Sequence, residues 1–318
     1  MDFRAFVAPQ LADTYDSLAA FALTAEAAGY GALFVSDHLV RIGPGETAPS
    51  APGDAWTTLA GLARDTSTIR LGTLVTSATF RHPGPLAISV AQVDRMSGGR
   101  VDFGFGAGWH EEEHTAFGLP FPDVRERFDR FEEQLEIITG LWGTPVGETF
   151  SFAGKHYTLT DSPALPKPAQ ASVPLVIGGR GRTRTPALAA RFADEFNTAF
   201  QAPEAAKELF DRFDAAARAI GRDPGTVVHS VALRVVVGRD DAEVARRAGV
   251  EEEIGRQLNV EQLRGTPGQV VDRLGEWAEL GVGRVYLSFN DQNDLDHVEL
   301  LASEVFPQVG SRTGATAD

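Results

Sequence analysis

Apolar residues follow two rhythms that alternate along the chain. Short continuous apolar runs read as buried strands over Phe3–Val7, Ala32–Ser36, Ile69–Val75, Val101–Gly106, Leu175–Ile177, Glu195–Thr198, Val227–Val237 and Arg284–Phe289. Between them the apolar positions recur at helical spacing. Thr14–Ala28 places Leu18, Phe21, Ala22 and Ala25 on one face and stops at Gly29. Ala55–Asp65 reads as a helix, and Pro83–Met96 as another with proline in its first turn. The clearest helix is Arg125–Trp142, with Phe128, Phe131, Leu135, Ile138 and Trp142 along one side. Helices are also predicted near Thr183–Phe192 and over Pro203–Ile220, Asp241–Leu258, Gly268–Leu280 and Leu295–Phe306.

Strict strand–helix alternation demands a parallel sheet. Eight such units fit a (β/α)8 TIM barrel with insertions better than an open doubly wound sheet, the alternative that alternation alone leaves standing. One α/β barrel domain is expected over residues 1–309. It has a Pro- and Gly-rich insertion near 143–173, in which Thr149–Phe152 and His156–Leu159 flank a hairpin turn, and an extra helix near 268–280. The small polar tail 310–318 reads as disordered.

Charge narrows the partners. With 29 basic and 44 acidic residues the chain carries −15, which disfavours nucleic acid and anionic membranes, since both need a basic footprint. There is no cysteine, so disulfides, thiolate nucleophiles and Cys-ligated metal are excluded. The start lacks a signal-peptide pattern and no uncharged apolar run approaches membrane-spanning length, so a cytoplasmic protein is expected.

In a barrel, chemistry sits where strands end and βα loops begin. The three lysines, Lys155, Lys167 and Lys207, lie away from strand ends, which excludes Schiff-base chemistry. No G-x-S-x-G elbow occurs, and no set of carboxylates and histidines converges on a metal. His110-Glu111-Glu112-Glu113-His114 matches the zinc motif H-E-x-x-H, but it follows a glycine loop and stops at Gly118-Leu119-Pro120. A charged helical turn at the rim is the better reading. Gly104-x-Gly106-x-Gly108 lacks the third glycine of a dinucleotide fingerprint, yet bare backbone there allows close approach of a flat ligand or phosphate. Gly178-Gly179-Arg180-Gly181-Arg182 joins a strand to a helix start. With Arg184 nearby it predicts a phosphate site. Asp37-His38 is the one strand end that combines a carboxylate with an imidazole.

Together these residues carry a resemblance. Ser36-Asp37-His38, Arg70–Thr76, Thr79-Phe80-Arg81-His82-Pro83, Ser97-Gly98-Gly99-Arg100, Gly104–Trp109 and Pro174–Gly179 resemble, in order and spacing, the luciferase-like monooxygenase superfamily. Within it, the chain looks like the coenzyme F420-dependent oxidoreductases. The resemblance implies a bacterial luciferase-like barrel with a deazaflavin or flavin over the strand C-termini. It implies a non-prolyl cis peptide at Leu74-Val75 behind the ring and the Asp37-His38 pair beside it. The cofactor would then be held by Asp37, Leu74, Val75, Thr76, Ser77, Gly106, Ala107, Gly108, Gly178, Gly179, Arg180, Gly181 and Arg182. Related sugar-phosphate dehydrogenases carry a catalytic Glu where this chain has Trp109, which points to a more apolar substrate pocket, assigned to Phe6, Trp109, His110 and Asn197.

The function expected is hydride transfer between coenzyme F420 and a small organic substrate, with Asp37 and His38 as catalytic residues and no metal. An FMN-dependent monooxygenase is the alternative within the superfamily, and a non-catalytic barrel binding a phosphorylated ligand is the alternative outside it. The expected partners are a small-molecule substrate and a second copy of the chain in a homodimer.

Overall fold

The computed structural model describes residues 1–11, 14–40, 53–253 and 262–312. Eight parallel strands close on themselves: β1 (Asp2–Val7), β2 (Ala32–Val35), β3 (Arg70–Thr73), β4 (Val101–Gly106), β5 (Leu175–Gly178), β6 (Glu195–Ala199), β7 (Val228–Val237) and β8 (Arg284–Phe289). Each pairs with its neighbours in chain order, and β8 returns to β1 with Asp2 opposite Arg284. The open-sheet alternative is thereby excluded. Two short strands extend the barrel. Thr76–Ser77 continues the β3 side of the ladder against Phe105 and Gly106, and Gln262–Gly265 adds to the outer half of β7.

The helices are α1 (Tyr15–Ala27), α2 (Ala55–Asp65), α3 (Pro83–Ser97), α4 (Glu111–Ala116), α5 (Val124–Gly143), α6 (Arg184–Phe192), α7 (Pro203–Ala219), α8 (Asp241–Glu253), α9 (Pro267–Glu279), α10 (Leu295–Glu304) and α11 (Phe306–Arg312). Among the described residues none is long and apolar enough to cross a membrane. Predicted and observed bounds agree closely through the barrel. The differences have local causes. Thr14 caps α1 from outside, with Ser17 completing a capping box, so that helix starts at Tyr15. The hairpin pairs Phe150–Ala153 with Thr158–Ser162, later than expected, because Glu133 of α5 accepts the amide N–H groups of Lys155, His156 and Tyr157 and fixes the turn there. The last helix runs to Arg312, past the expected boundary at 309. The rest of the tail, residues 254–258 of the helix expected over Asp241–Leu258, and the loop 41–52 lie outside the described residues.

Alternate strand residues face two cores. Val7, Leu33, Leu71, Val101, Phe103, Phe105, Ile177, Val231 and Leu287 point outward to the helices, burying the larger apolar cluster. Phe6, Ala32, Phe34, Leu74, Val176, Ala232 and Tyr286 fill the barrel itself. Below them, at the N-terminal end of the strands, charge closes the floor. Arg4 donates to Asp102 at 2.5 Å, Arg70 binds the same carboxylate, and Arg284 bridges Asp2 (2.6 Å) and Glu195. Arg4 and Asp102 are buried, and the Arg4 guanidinium also lies over the rings of Phe34 and Tyr286.

Candidate active site

The C-terminal ends of the strands form the mouth. Ser36-Asp37-His38 leaves β2 there, and the two functional side chains diverge. Asp37 turns inward, and both its oxygens accept from Arg81 (2.5 and 3.1 Å), which also binds Asp54, the N-cap of α2. Burial works against the Arg81 charge, but the two carboxylates outweigh it and raise its pKa. The Asp37 side chain is 1% exposed. Asp37, expected beside the ligand, is thus paired with Arg81 in this structure. Its carboxylate is occupied, and it anchors the start of the loop. Arg81 is the partner that residue type alone did not reveal.

His38 turns the other way. Its Nδ1 lies 3.0 and 3.2 Å from the two carboxylate oxygens of Glu113, one of which also accepts the Leu39 N–H at 2.9 Å. Burial alone would raise the Glu113 pKa. The hydrogen bond and charge of His38 and the Leu39 amide reverse this and hold it below the usual carboxylate range. The His38 side chain is 20% exposed, flanked edge-on by the rings of Trp109 and His110. Among the described residues no group bonds its Nε2. Trp109 stands 63% exposed on the rim. His110 Nε2 is buried without a hydrogen-bond partner among those residues, an acceptor or donor waiting at the mouth.

The zinc-like motif resolves into this arrangement. It forms the short helix α4, and its middle Glu113 serves His38. In the neutral His114 ring, Nδ1 donates to the His110 carbonyl (2.6 Å), so Nε2 accepts from Thr79 Oγ1 (2.6 Å). Thr79 in turn accepts from Ser77 Oγ (2.6 Å). Both ring nitrogens of His114 are engaged with protein.

Leu74-Val75 is cis, as the resemblance implies. The chain around Thr73–Thr79 crowds the first glycine cluster and Gly178. A methyl at Gly104 would collide with the Thr73 carbonyl. At Gly106 and Gly178 a methyl would come within 2.9 and 3.2 Å of the Val75 side chain. Gly108, at φ +79°, clears Ser77 and Thr79. These glycines make room for the protein's own backbone and for Val75 around the cis bond. Ala107 lies between them and packs on the outer core. Thr76 is fully buried, its hydroxyl held by Trp56 Nε1 (2.9 Å) and Thr73 (3.1 Å), so only its backbone could meet a ligand. Phe6 sits at the top of the barrel fill beside Leu74, Val75 and Phe200.

The second cluster keeps its character in part. Gly179 N–H is taken by the Asn197 carbonyl (3.2 Å), but α6 begins with no side-chain cap, leaving its leading N–H groups to be satisfied from outside. Gly181 is packed so closely on Thr185 that a side chain would not fit. Arg180 is exposed and donates to the Ala199 carbonyl (3.0 Å). Arg182 is exposed, with Glu208 3.7 Å away. Arg184 points elsewhere, onto Asp129 (2.6 Å) and Glu132 of α5. Asn197, expected in the substrate pocket, is buried one layer down and donates to Ser230 (2.8 Å), because the β5–β6 register sets it level with Gly178.

The chain resembles known proteins across most of its length. An F420-dependent hydroxymycolic acid dehydrogenase of Mycobacterium tuberculosis is 36% identical over 73% of this chain, a match spanning 62% of that enzyme. An F420-dependent glucose-6-phosphate dehydrogenase of Beutenbergia cavernae is 30% identical over 93% of this chain and 94% of its own. The fold superposes on an F420-dependent secondary alcohol dehydrogenase, solved in complex with an F420-acetone adduct, with a TM-score of 0.81 at 20% identity, covering 97% and 98% of the two chains. The sequence profile of luciferase-like monooxygenases matches residues 1–263, and the chain belongs to that family.

Proposed function

We propose that the protein is a coenzyme F420-dependent oxidoreductase moving a hydride between the deazaflavin and a small organic substrate with a carbonyl or hydroxyl group. The observation that carries this reading is His38, held from one side by a buried carboxylate and unengaged on the other at the mouth of the barrel. The F420-dependence of the two relatives supports the choice of cofactor.

The residues present fit such a group. The uncapped start of α6, with Arg180 and Arg182, suits a phosphate. The apolar wall of Phe6, Leu74, Val75 and Phe200 suits the face of a ring. His110 Nε2 supplies a buried polar atom still in need of a partner. When bound, the deazaflavin supplies or takes up the hydride. The protein's own part is to hold the phosphate at α6, to keep water from the apolar wall, and to move a proton at His38 Nε2. A neutral imidazole carries one N–H and one bare nitrogen, so the ring can both give and take that proton.

The reading is tested by titration with F420 and, separately, FMN, followed by absorbance. Saturable binding of F420, weakened in Gly179→Val, is the expected result. Binding of FMN alone, with oxygen uptake, would overturn it in favour of a monooxygenase.

A further inference from the structure

We infer that Glu113 is the positioning residue for His38: it holds the ring proton on Nδ1 and leaves Nε2 as the one ring atom able to exchange a proton with substrate. The inference rests on the reading of His38 as the proton carrier. An ionised carboxylate only accepts hydrogen bonds. Both Glu113 oxygens lie within 3.2 Å of Nδ1, so Nδ1 must carry hydrogen in either charge state of the ring. The carboxylate cannot turn away. Its side chain is 2% exposed, and one oxygen is tied to the Leu39 amide, the residue after His38. Its helix, α4, is docked in turn through His114 to Thr79 and to the His110 carbonyl. A six-residue helix thus acts as a clamp on one imidazole.

The proton balance follows. In the direction of carbonyl reduction, carbon gains the hydride supplied by the reduced deazaflavin. The electron pair of the C–O π bond takes the proton from Nε2, and the ring is left neutral with Nδ1–H still on Glu113. In the direction of alcohol oxidation, a neutral ring takes the hydroxyl proton at Nε2 as carbon gives its hydride to the oxidised deazaflavin. Glu113 touches no reacting atom and exchanges no proton in either direction.

Glu113→Gln gives a sharp test because it keeps the shape and breaks the symmetry. Only the amide oxygen can face the Leu39 N–H, since an NH2 there would oppose two buried donors. The NH2 then faces His38 Nδ1, which must accept, and the ring proton moves to Nε2. Nitrogen-15 NMR of the histidine ring in the cofactor-free protein is expected to show Nδ1–H in the wild type and Nε2–H in the variant. kcat is expected to fall about 10²-fold with KM and F420 affinity unchanged. Wild-type protein with its His38 proton on Nε2 would overturn the inference, and that measurement decides it even if the variant fails to fold. So would an inverted tautomer with unaltered kcat. Failure of the underlying reading looks different: His38→Ala would then leave kcat intact whatever the tautomer.

Discussion

The two ends of the barrel both concentrate charge, and they treat it in opposite ways. At the floor, Arg4, Arg70 and Arg284 meet Asp2, Asp102 and Glu195, and each buried carboxylate is met by arginine. At the mouth, Asp37 is satisfied in the same manner by Arg81, but its neighbour His38 is satisfied on one edge only. A closed pair can hold strands together and do nothing else. A ring clamped by one nitrogen keeps the other for chemistry. The mouth also holds its own control. His297 is a second histidine, buried on α10, and its Nε2 accepts the N–H of Val237, the last residue of β7, at 3.0 Å. Residue type does not separate these two histidines, whereas the state of Nε2 does.

The comparison is broken most directly at His38. General acid–base help is worth roughly 10²–10⁴ in rate. His38→Ala should therefore lower turnover by about that factor while the denaturation midpoint and F420 affinity stay near wild type. Turnover that survives, with affinity collapsing, would make His38 a binding residue. Asp102→Ala probes the other end. It strips the carboxylate shared by Arg4 and Arg70 and leaves a buried guanidinium without it, a change that costs about 3–5 kcal/mol. The denaturant midpoint should fall sharply, and turnover per folded molecule should not change. A loss of turnover larger than the loss of folded protein would show that the floor reaches the chemistry.

The control histidine gives a pH signature. Burial first, then the charge of Arg247, lowers the His297 pKa from 6.5 to about 3, against the pull of Asp294 and Asp296. The unfolded chain therefore binds a proton that the fold refuses. This stability is complete above pH 6.5 and is lost as pH falls from there toward 3, amounting to about 2 kcal/mol by pH 5. His229, lowered by burial, acts in the same direction. Urea titrations at pH 7 and pH 5 should show the loss, and His297→Gln, which keeps an acceptor for Val237, should reduce it. An undiminished loss in that variant would clear His297 of the effect.

The barrel was legible because its strands are buried on both faces and its helices on one, so two hydrophobic periods alternate without interruption. The site was legible only where a strand end fixes a residue's position. His38 falls there, whereas the cis bond at Leu74-Val75 was implied by the family resemblance. The partners of His38 and Asp37 do not fall at strand ends. Glu113 sits among three consecutive glutamates, and nothing in Glu111-Glu112-Glu113 distinguishes the one whose place on α4 turns it toward β2. Arg81 stood inside a quoted motif, yet its bridge to Asp37 and Asp54 joins residues 44 and 27 positions away. The glycines carry less than their spacing suggests. A missing side chain signals a close neighbour, but Gly104, Gly106 and Gly178 have Thr73 and Val75 as that neighbour. Asn197 was placed by its strand end, but the strand continues to Ala199 and Asn197 is buried, with its amide on Ser230.

The smallest effect separates the arginines beside the second glycine cluster. Arg182 and Arg184 look equivalent in sequence, both basic and both flanking a helix start. Arg184 donates to Asp129 and Glu132 and covers the Phe128 ring, so its charge is already paired along the outside of α5. Arg182 is 74% exposed, its nearest carboxylate 3.7 Å away, beside N–H groups that no side chain caps. An exposed charge contributes at most about 1 kcal/mol. Arg182→Ala is therefore expected to weaken F420 binding by about two- to fivefold, more at low salt than at high salt because solvent ions screen an exposed charge. Arg184→Ala should leave that affinity unchanged and lower stability by less than about 1 kcal/mol. Isothermal titration with F420 at two salt concentrations reads both. If Arg184→Ala weakens binding and Arg182→Ala does not, the phosphate lies on the α5 side of the loop, and the uncapped start of α6 is not where it is held.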